Sequence, residues 1–159
     1  MKHNCIASAL AAFLLFSSLA FAGERVAVWP KGKMPHRQEH QIAAMTDEAA
    51  QKGFKADKHR TAYIEWYDAP KADVRNGACM ILISGGGYNS CCDVKLVAGW
   101  AEKLTALGFQ CVNFVYRTPR PTGLPIWQTA WEDGQRAVRM VRKDAEKRGF
   151  DPEKIGTIS

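Results

Sequence analysis

The chain is poor in the arrangements that metal and cofactor chemistry needs. Its five cysteines include no two CxxC pairs, and its four histidines lie elsewhere, so no zinc site is expected. A complete G-x-G-x-x-G is missing as well. Gly85, Gly87 and Ser90 fit that fingerprint only in part, so no nicotinamide cofactor is expected. No run after the N-terminal stretch reaches the ~20 apolar residues that a membrane-spanning helix needs. There is no internal repeat and no low-complexity tract. A continuous basic patch is also lacking. The formal charge is +6, but the basic residues between Arg136 and Arg148 are interspersed with Asp144 and Glu146. That spacing describes a solvated helix face, and no nucleic-acid partner is expected.

What the chain does have begins with a signal-peptide pattern. Lys2 and His3 form a basic start, Ile6–Phe21 is apolar, and Ala20-Phe21-Ala22 is a small-x-small cleavage site. Residues 1–22 therefore read as a secretory signal peptide, which implies a secreted or periplasmic protein. Its oligomeric state is open. Cys79, Cys91, Cys92 and Cys111 would remain after cleavage, and these four allow three disulfide connectivities. Cys91-Cys92 reads as a vicinal disulfide, as partners of other cysteines or as free thiols. Cys79 and Cys111 also read as small buried residues within apolar strands.

Residues 23–59 are poorly patterned, apart from an extended Val26–Pro30 and a helical turn at Asp47–Lys52. From residue 60 the pattern sharpens into one domain over 60–159. Ala62, Ile64 and Trp66 alternate with Tyr63, Glu65 and Tyr67, which is a strand pattern. Cys79–Ser84 is a nearly continuous apolar run, as a strand buried on both faces should be. Val97, Trp100, Ala101 and Leu104 follow at helical spacing, with Asp93 as N-cap and Gly108 as stop. A strand over Gln110–Tyr116, a proline-rich loop, a helix from Trp127 to Lys147 and a strand over Ile155–Ser159 complete the order. Strands alternating with helices predict an α/β fold: a mostly parallel sheet with flanking helices. Its site should lie at the carboxyl ends of the strands.

At one such end stand Gly85, Gly86 and Gly87. Three readings compete: a tight turn, a dinucleotide cradle, and a loop of backbone N–H groups that stabilises an oxyanion. The surrounding residues bear on the choice. ISGGGY at Ile83–Tyr88 resembles the PGGGY or HGGG loop of α/β-hydrolase esterases. VNFVYRTPRP at Val112–Pro121 resembles their next strand and its exit. The segment Glu132–Ser159 resembles the helix, turn and strand that lead to their nucleophile. The nearest pattern is that of secreted bacterial acetyl xylan esterase-like proteins. Position 84 departs from it, with Ser where Pro or His is usual, and NSCCDVKLVAGW lacks a DHEG-like stretch.

The resemblance implies an α/β-hydrolase that cleaves carboxylic esters, such as acetyl groups on xylan, by a Ser-His-Asp acyl transfer that needs no cofactor or metal. Gly85, Gly86 and Gly87 would supply the oxyanion hole, and Tyr88 would line the substrate pocket. In that fold the G-x-S-x-G turn follows the last strand seen here, so the nucleophile would fall about two residues past Ser159. The acid and the histidine come later still. The resemblance thus implies an N-terminal portion that ends before the nucleophile turn, inactive alone and with an unpaired apolar sheet edge. A serine peptidase or lipase of the same fold, or a non-catalytic remnant, is the alternative.

Other candidates read as structural. His36, His40 and His59 are expected at the surface. Glu132 and Asp133 are expected to begin a helix, where carboxylates favour the dipole, with Arg117 pairing with Asp133. Trp127 and Trp131 lie one helical turn apart and read as core packing, with the flank of a sugar-binding cleft as the alternative.

Overall fold

A computed structural model describes residues 23–43, 62–91 and 94–159. Its centre is a five-stranded sheet in the order β1-β2-β4-β3-β5. Strands β3 (Cys79–Ile83), β4 (Gln110–Val115) and β5 (Ile155–Ile158) run parallel. Ile81 stands opposite Val112 on one side and Thr157 on the other. Strands β1 (Glu24–Ala27) and β2 (Tyr63–Trp66) add an antiparallel flank, with β2 pairing against β4. The sheet is therefore mixed. Antiparallel neighbours need no crossover helix between them, which allows the earliest strands to extend a parallel core.

The residues before 60, weakly patterned in sequence, thus contribute an edge strand and the short helix α1 (Glu39–Ala43). Every residue of β2 is buried, including Glu65. The Arg25 side chain on β1 crosses to Glu65 at 2.7 Å and balances that charge. Arg25 and Glu65 are direct register partners, so the pairing follows from the strand alignment.

Two helices cover the two faces. Helix α2 (Val94–Ala106) packs Val97 and Ala101 against Leu82, Cys111 and Tyr67. Helix α3 (Gln128–Lys143) packs Ala130, Ala137 and Val141 against Ile81, Val112 and Phe114. The split follows from strand alternation: Ile81 and Leu82 point to opposite faces, and each face recruits its own helix. Cys79 and Cys111 are buried free thiols. Burial, then the neighbouring Cys111, pushes the Cys79 thiol up to about 12.

The helix expected over Trp127–Lys147 divides at Asp144 into α3 and the single turn α4 (Ala145–Arg148). The Asp144 amide bonds to the carbonyls of both Met140 and Val141, a tightening that ends the α-helical ladder. Gly149, at φ 75°, closes α4 in the left-handed conformation. Phe150 then turns inward, 7% exposed, against Trp66. The turn expected at Asp47–Lys52, the Asp93 cap and Cys92 lie outside the described residues. Among the described residues, no helix is long and apolar enough to cross a membrane.

Candidate active site

Strand β3 delivers the chain to the carboxyl end of the sheet at Ile83. Ser84 follows, buried, and its hydroxyl has no hydrogen-bond partner among the described residues. Gly85 and Gly87 are exposed, and Gly86 lies between them at φ 149°. This conformation requires glycine: a Cβ at Gly86 would lie 1.8 Å from the Ser90 carbonyl oxygen. At Gly85 an added Cβ meets nothing within 4 Å.

The loop is held from its carbonyl side. The Gly86 carbonyl accepts from the amides of Asn89 and Ser90 at 3.1 and 3.3 Å. The Gly87 carbonyl accepts from Arg120 Nε at 2.9 Å. In a planar trans peptide the N–H opposes the preceding C=O. The Gly87 N–H therefore points away from Asn89 and Ser90. Among the described residues, the amides of Gly85, Gly86 and Gly87 donate no backbone hydrogen bond. Donors left open in this way, on a loop fixed through its acceptors, suit an incoming oxygen bearing negative charge.

These glycines border a cleft of about 540 Å³. Ile83, Phe114, Ala130 and Gly134 are apolar lining residues, Gly134 sitting 3.6 Å (from its would-be Cβ) from the Phe114 ring. Tyr88, at φ 64°, lines it too, its ring 5.9 Å from that of Tyr116. Ser159, the residue after β5, reaches the same cleft. A second cavity of about 290 Å³ shares Ile83, Ser84, Gly85 and Ser159 and is bounded by Leu96, Val97 and Trp100 of α2. The end of β3 therefore sits between two openings, one towards each helix layer.

The neighbouring exit, after β4, is built differently. Arg117 is 1% exposed and Asp133 fully buried. The Arg117 guanidinium meets the Asp133 carboxylate at 2.8–2.9 Å, and the Arg117 amide donates to the same carboxylate at 2.9 Å. Trp29 Nε1 adds a further bond to Asp133 at 2.6 Å. The remaining Arg117 donors reach the carbonyls of Pro35 and Thr129 and the Glu132 carboxylate. Burial is the largest influence on the Asp133 carboxyl and pushes it up, while Arg117 and Trp29 pull it the other way. Glu132 responds differently. Burial alone would raise it, but hydrogen bonds from Gln128 and His36, with the charges of His36 and Arg117, hold its carboxyl below the ordinary value.

The sequence-derived candidates thus separate. Gly85, Gly86, Gly87 and Tyr88 come together around one cleft. Arg117 does pair with Asp133, as the sequence suggested, but Glu132 and Asp133 lie past the first turn of α3 and serve Arg117 instead of the helix terminus. His36 and His40 are surface residues, bonded to Glu132 and to the Arg120 carbonyl, and neither lines the cleft. His59 lies outside the described residues. The core reading of Trp127 and Trp131 is overturned: they are 39% and 56% exposed, because the helix face that meets the sheet is taken by Ala130, Asp133 and Ala137. Sequence reasoning passed over Gln135, which shares the cleft with Trp131; the i, i+4 spacing from Trp131 was the available signal. Among the described residues, no group of His, Cys, Asp and Glu could hold a metal ion.

A mixed sheet in this strand order, a helix layer on each face and a glycine loop after β3 define an α/β-hydrolase fold. Solved structures agree. An acetyl ester-xyloside bifunctional hydrolase from Caldicellulosiruptor lactoaceticus superposes with a TM-score of 0.56 at 23% identity, covering 89% of this chain and 43% of its own. A thermophilic esterase from Thermogutta terrifontis gives 0.55 at 17% identity, covering 86% and 40%. An α/β hydrolase from a Medee basin deep-sea metagenome gives 0.53 at 20%, covering 65% and 43%. In sequence, 77 residues are 34% identical to endo-1,4-beta-xylanase B of Butyrivibrio fibrisolvens, covering 48% of this chain and 12% of that protein. No protein-family profile matches the chain. The chain thus spans less than half the length of each of these proteins.

Proposed function

We propose that the chain is part of an exported carboxylic ester hydrolase acting on carbohydrate esters such as acetylated xylan. One observation carries the reading: glycine amides that donate no backbone hydrogen bond among the described residues, at the carboxyl end of a parallel strand beside an apolar cleft. Attack on an ester carbonyl develops negative charge on its oxygen. The N–H groups of Gly85, Gly86 and Gly87 stabilise that charge, each donor being worth about 3 kcal/mol in the transition state. Tyr88 lines the substrate side of the cleft. The nucleophile, its histidine and its acid come from residues beyond Ser159, in the order Ser, acid, His. Two facts support this division. Ser159 stands where β5 ends inside the cleft, and the strand-to-helix turn of this fold bears the nucleophile just after that point. The match also covers only 43% of the acetyl ester-xyloside bifunctional hydrolase and 40% of the Thermogutta terrifontis esterase. Similarity to an acetyl ester-xyloside bifunctional hydrolase and to an endo-1,4-beta-xylanase supports a carbohydrate as the alcohol. The signal-peptide pattern of residues 1–22 supports export.

The test is acetate release from acetylated xylan and turnover of p-nitrophenyl acetate. It uses the 159-residue chain beside any longer product of its coding sequence. The longer product should turn over, and Gly86→Pro should slow it about 10²–10³-fold. Turnover by the 159-residue chain that Ser159→Ala abolishes would show that the nucleophile lies within it. A folded Gly86→Pro variant with undiminished activity would remove Gly86 from the oxyanion hole.

A further inference from the structure

Helix α3 turns its small buried residues to the sheet: Ala130, Ala137 and Val141. Beside them runs a second stripe at four-residue spacing, Trp127, Trp131 and Gln135. At 1.5 Å per residue it is about 12 Å long. Both indoles are exposed, and their rings touch, with centroids 4.7 Å apart and planes at 42°. Trp127 thus backs Trp131 and limits its freedom. Trp131 and Gln135 also line the cleft that holds Gly86, Gly87 and Tyr88. A large aromatic left open at the mouth of a cleft, with a few polar groups beside it, is how many small-molecule sites are built.

The lining selects the ligand. None of the side chains lining the cleft is charged, which disfavours a nucleotide, an acidic peptide or a cationic ligand. An indole face offers a flat apolar surface, and the Gln135 amide offers both donors and an acceptor. A pyranose ring matches this pair, with an apolar C–H face and a rim of hydroxyl groups.

We propose that Trp131, backed by Trp127 and extended by Gln135, is a platform for a neutral sugar ring. It would hold the alcohol portion of the ester beside the glycine loop. The orientation of the sugar rests on the ester-hydrolase reading above; its binding does not. Xylotriose, which carries no ester, is therefore the probe. In a titration of the 159-residue chain followed by indole and amide N–H signals, the Trp131 indole and the Gly86 and Gly87 amides should shift. Trp131→Ala should weaken binding at least tenfold, Trp127→Ala less, and Trp131→Phe should retain part of it. Because Trp131 is exposed, the amide spectrum of each variant will show whether the fold persists. Three results would overturn the platform: no response at tens of millimolar xylotriose, shifts confined to other tryptophans, or equal affinity in a folded Trp131→Ala variant. Xylotriose binding by the chain, with no ester turnover by a longer product of its coding sequence, would uphold the platform and sink the hydrolase reading. Ester turnover without xylotriose binding would do the reverse.

Discussion

Two loops leave the sheet side by side, one after β3 and one after β4, and they treat their hydrogen-bonding groups in opposite ways. After β4, Arg117 is buried and its backbone and guanidinium donors are engaged by Asp133, Glu132, Pro35 and Thr129. After β3, the Gly85, Gly86 and Gly87 amides donate no backbone hydrogen bond among the described residues and stand beside a cleft. An unsatisfied polar group costs little where solvent or a ligand can reach it and much where neither can. The closed loop thus anchors the N-terminal segment to α3, through Trp29, Pro35 and His36. The open loop keeps its binding capacity for something outside the protein. Arg120 joins the two: it leaves the β4 exit and bonds the Gly87 carbonyl.

Three variants would break or sharpen this contrast. The largest effect is expected at the closed loop. Asp133→Ala strands the Arg117 guanidinium in the interior, and urea unfolding should show a loss of about 3–5 kcal/mol. A loss under about 1 kcal/mol would mean that Arg117 escapes to solvent, and the loop would not be closed as described. Next comes the open loop. Gly86→Ala drives a methyl into the Ser90 carbonyl and should cost about 1–3 kcal/mol of backbone strain. Hydrogen exchange should place the damage at the amides of Asn89 and Ser90, whose partner is the Gly86 carbonyl. Accelerated exchange throughout β4 instead would show that the two loops are not separable.

The smallest effect concerns pH. The Glu132 carboxyl is held below its ordinary value in the folded protein. Its stabilisation is therefore complete above the ordinary glutamate range and is lost as pH falls through the lower folded value. Wild type should exceed Glu132→Gln in stability by under about 1 kcal/mol at neutral pH. That difference should vanish as pH falls through the lower folded value. A difference that grows with acid would reverse the assigned direction.

Much of this was legible in the residues. The apolar run Cys79–Ile83 and the triplet behind it mark a buried strand and its loop, because a strand covered on both faces has no room for polar alternation. The Arg117–Asp133 pair was legible from the motif around each residue. Glu65 was not. Alternation set it on the face opposite Ala62, Ile64 and Trp66 with nothing to mark it as buried, yet it is 5% exposed, and register sets Arg25 opposite it. Trp127 and Trp131 misled for the converse reason. Their size and spacing match a core stripe, but a helix has one buried face, and the small residues Ala130 and Ala137 occupy it. Aromatic content says how much surface a helix can bury, not which way the helix is rolled.

By itself, the sequence determined the alternation of strands and helices and the position of the glycine loop at the end of β3. Those depend on local periodicity and on backbone angles that glycine alone tolerates, as at Gly86. Only the tertiary structure decided the antiparallel pairing of β2 with β4, the closure of Arg117 by partners as distant as Trp29 and Pro35, and the exposure of Trp131 beside the glycines. Each of these depends on which segments become neighbours in space, and the local pattern of residues does not encode that.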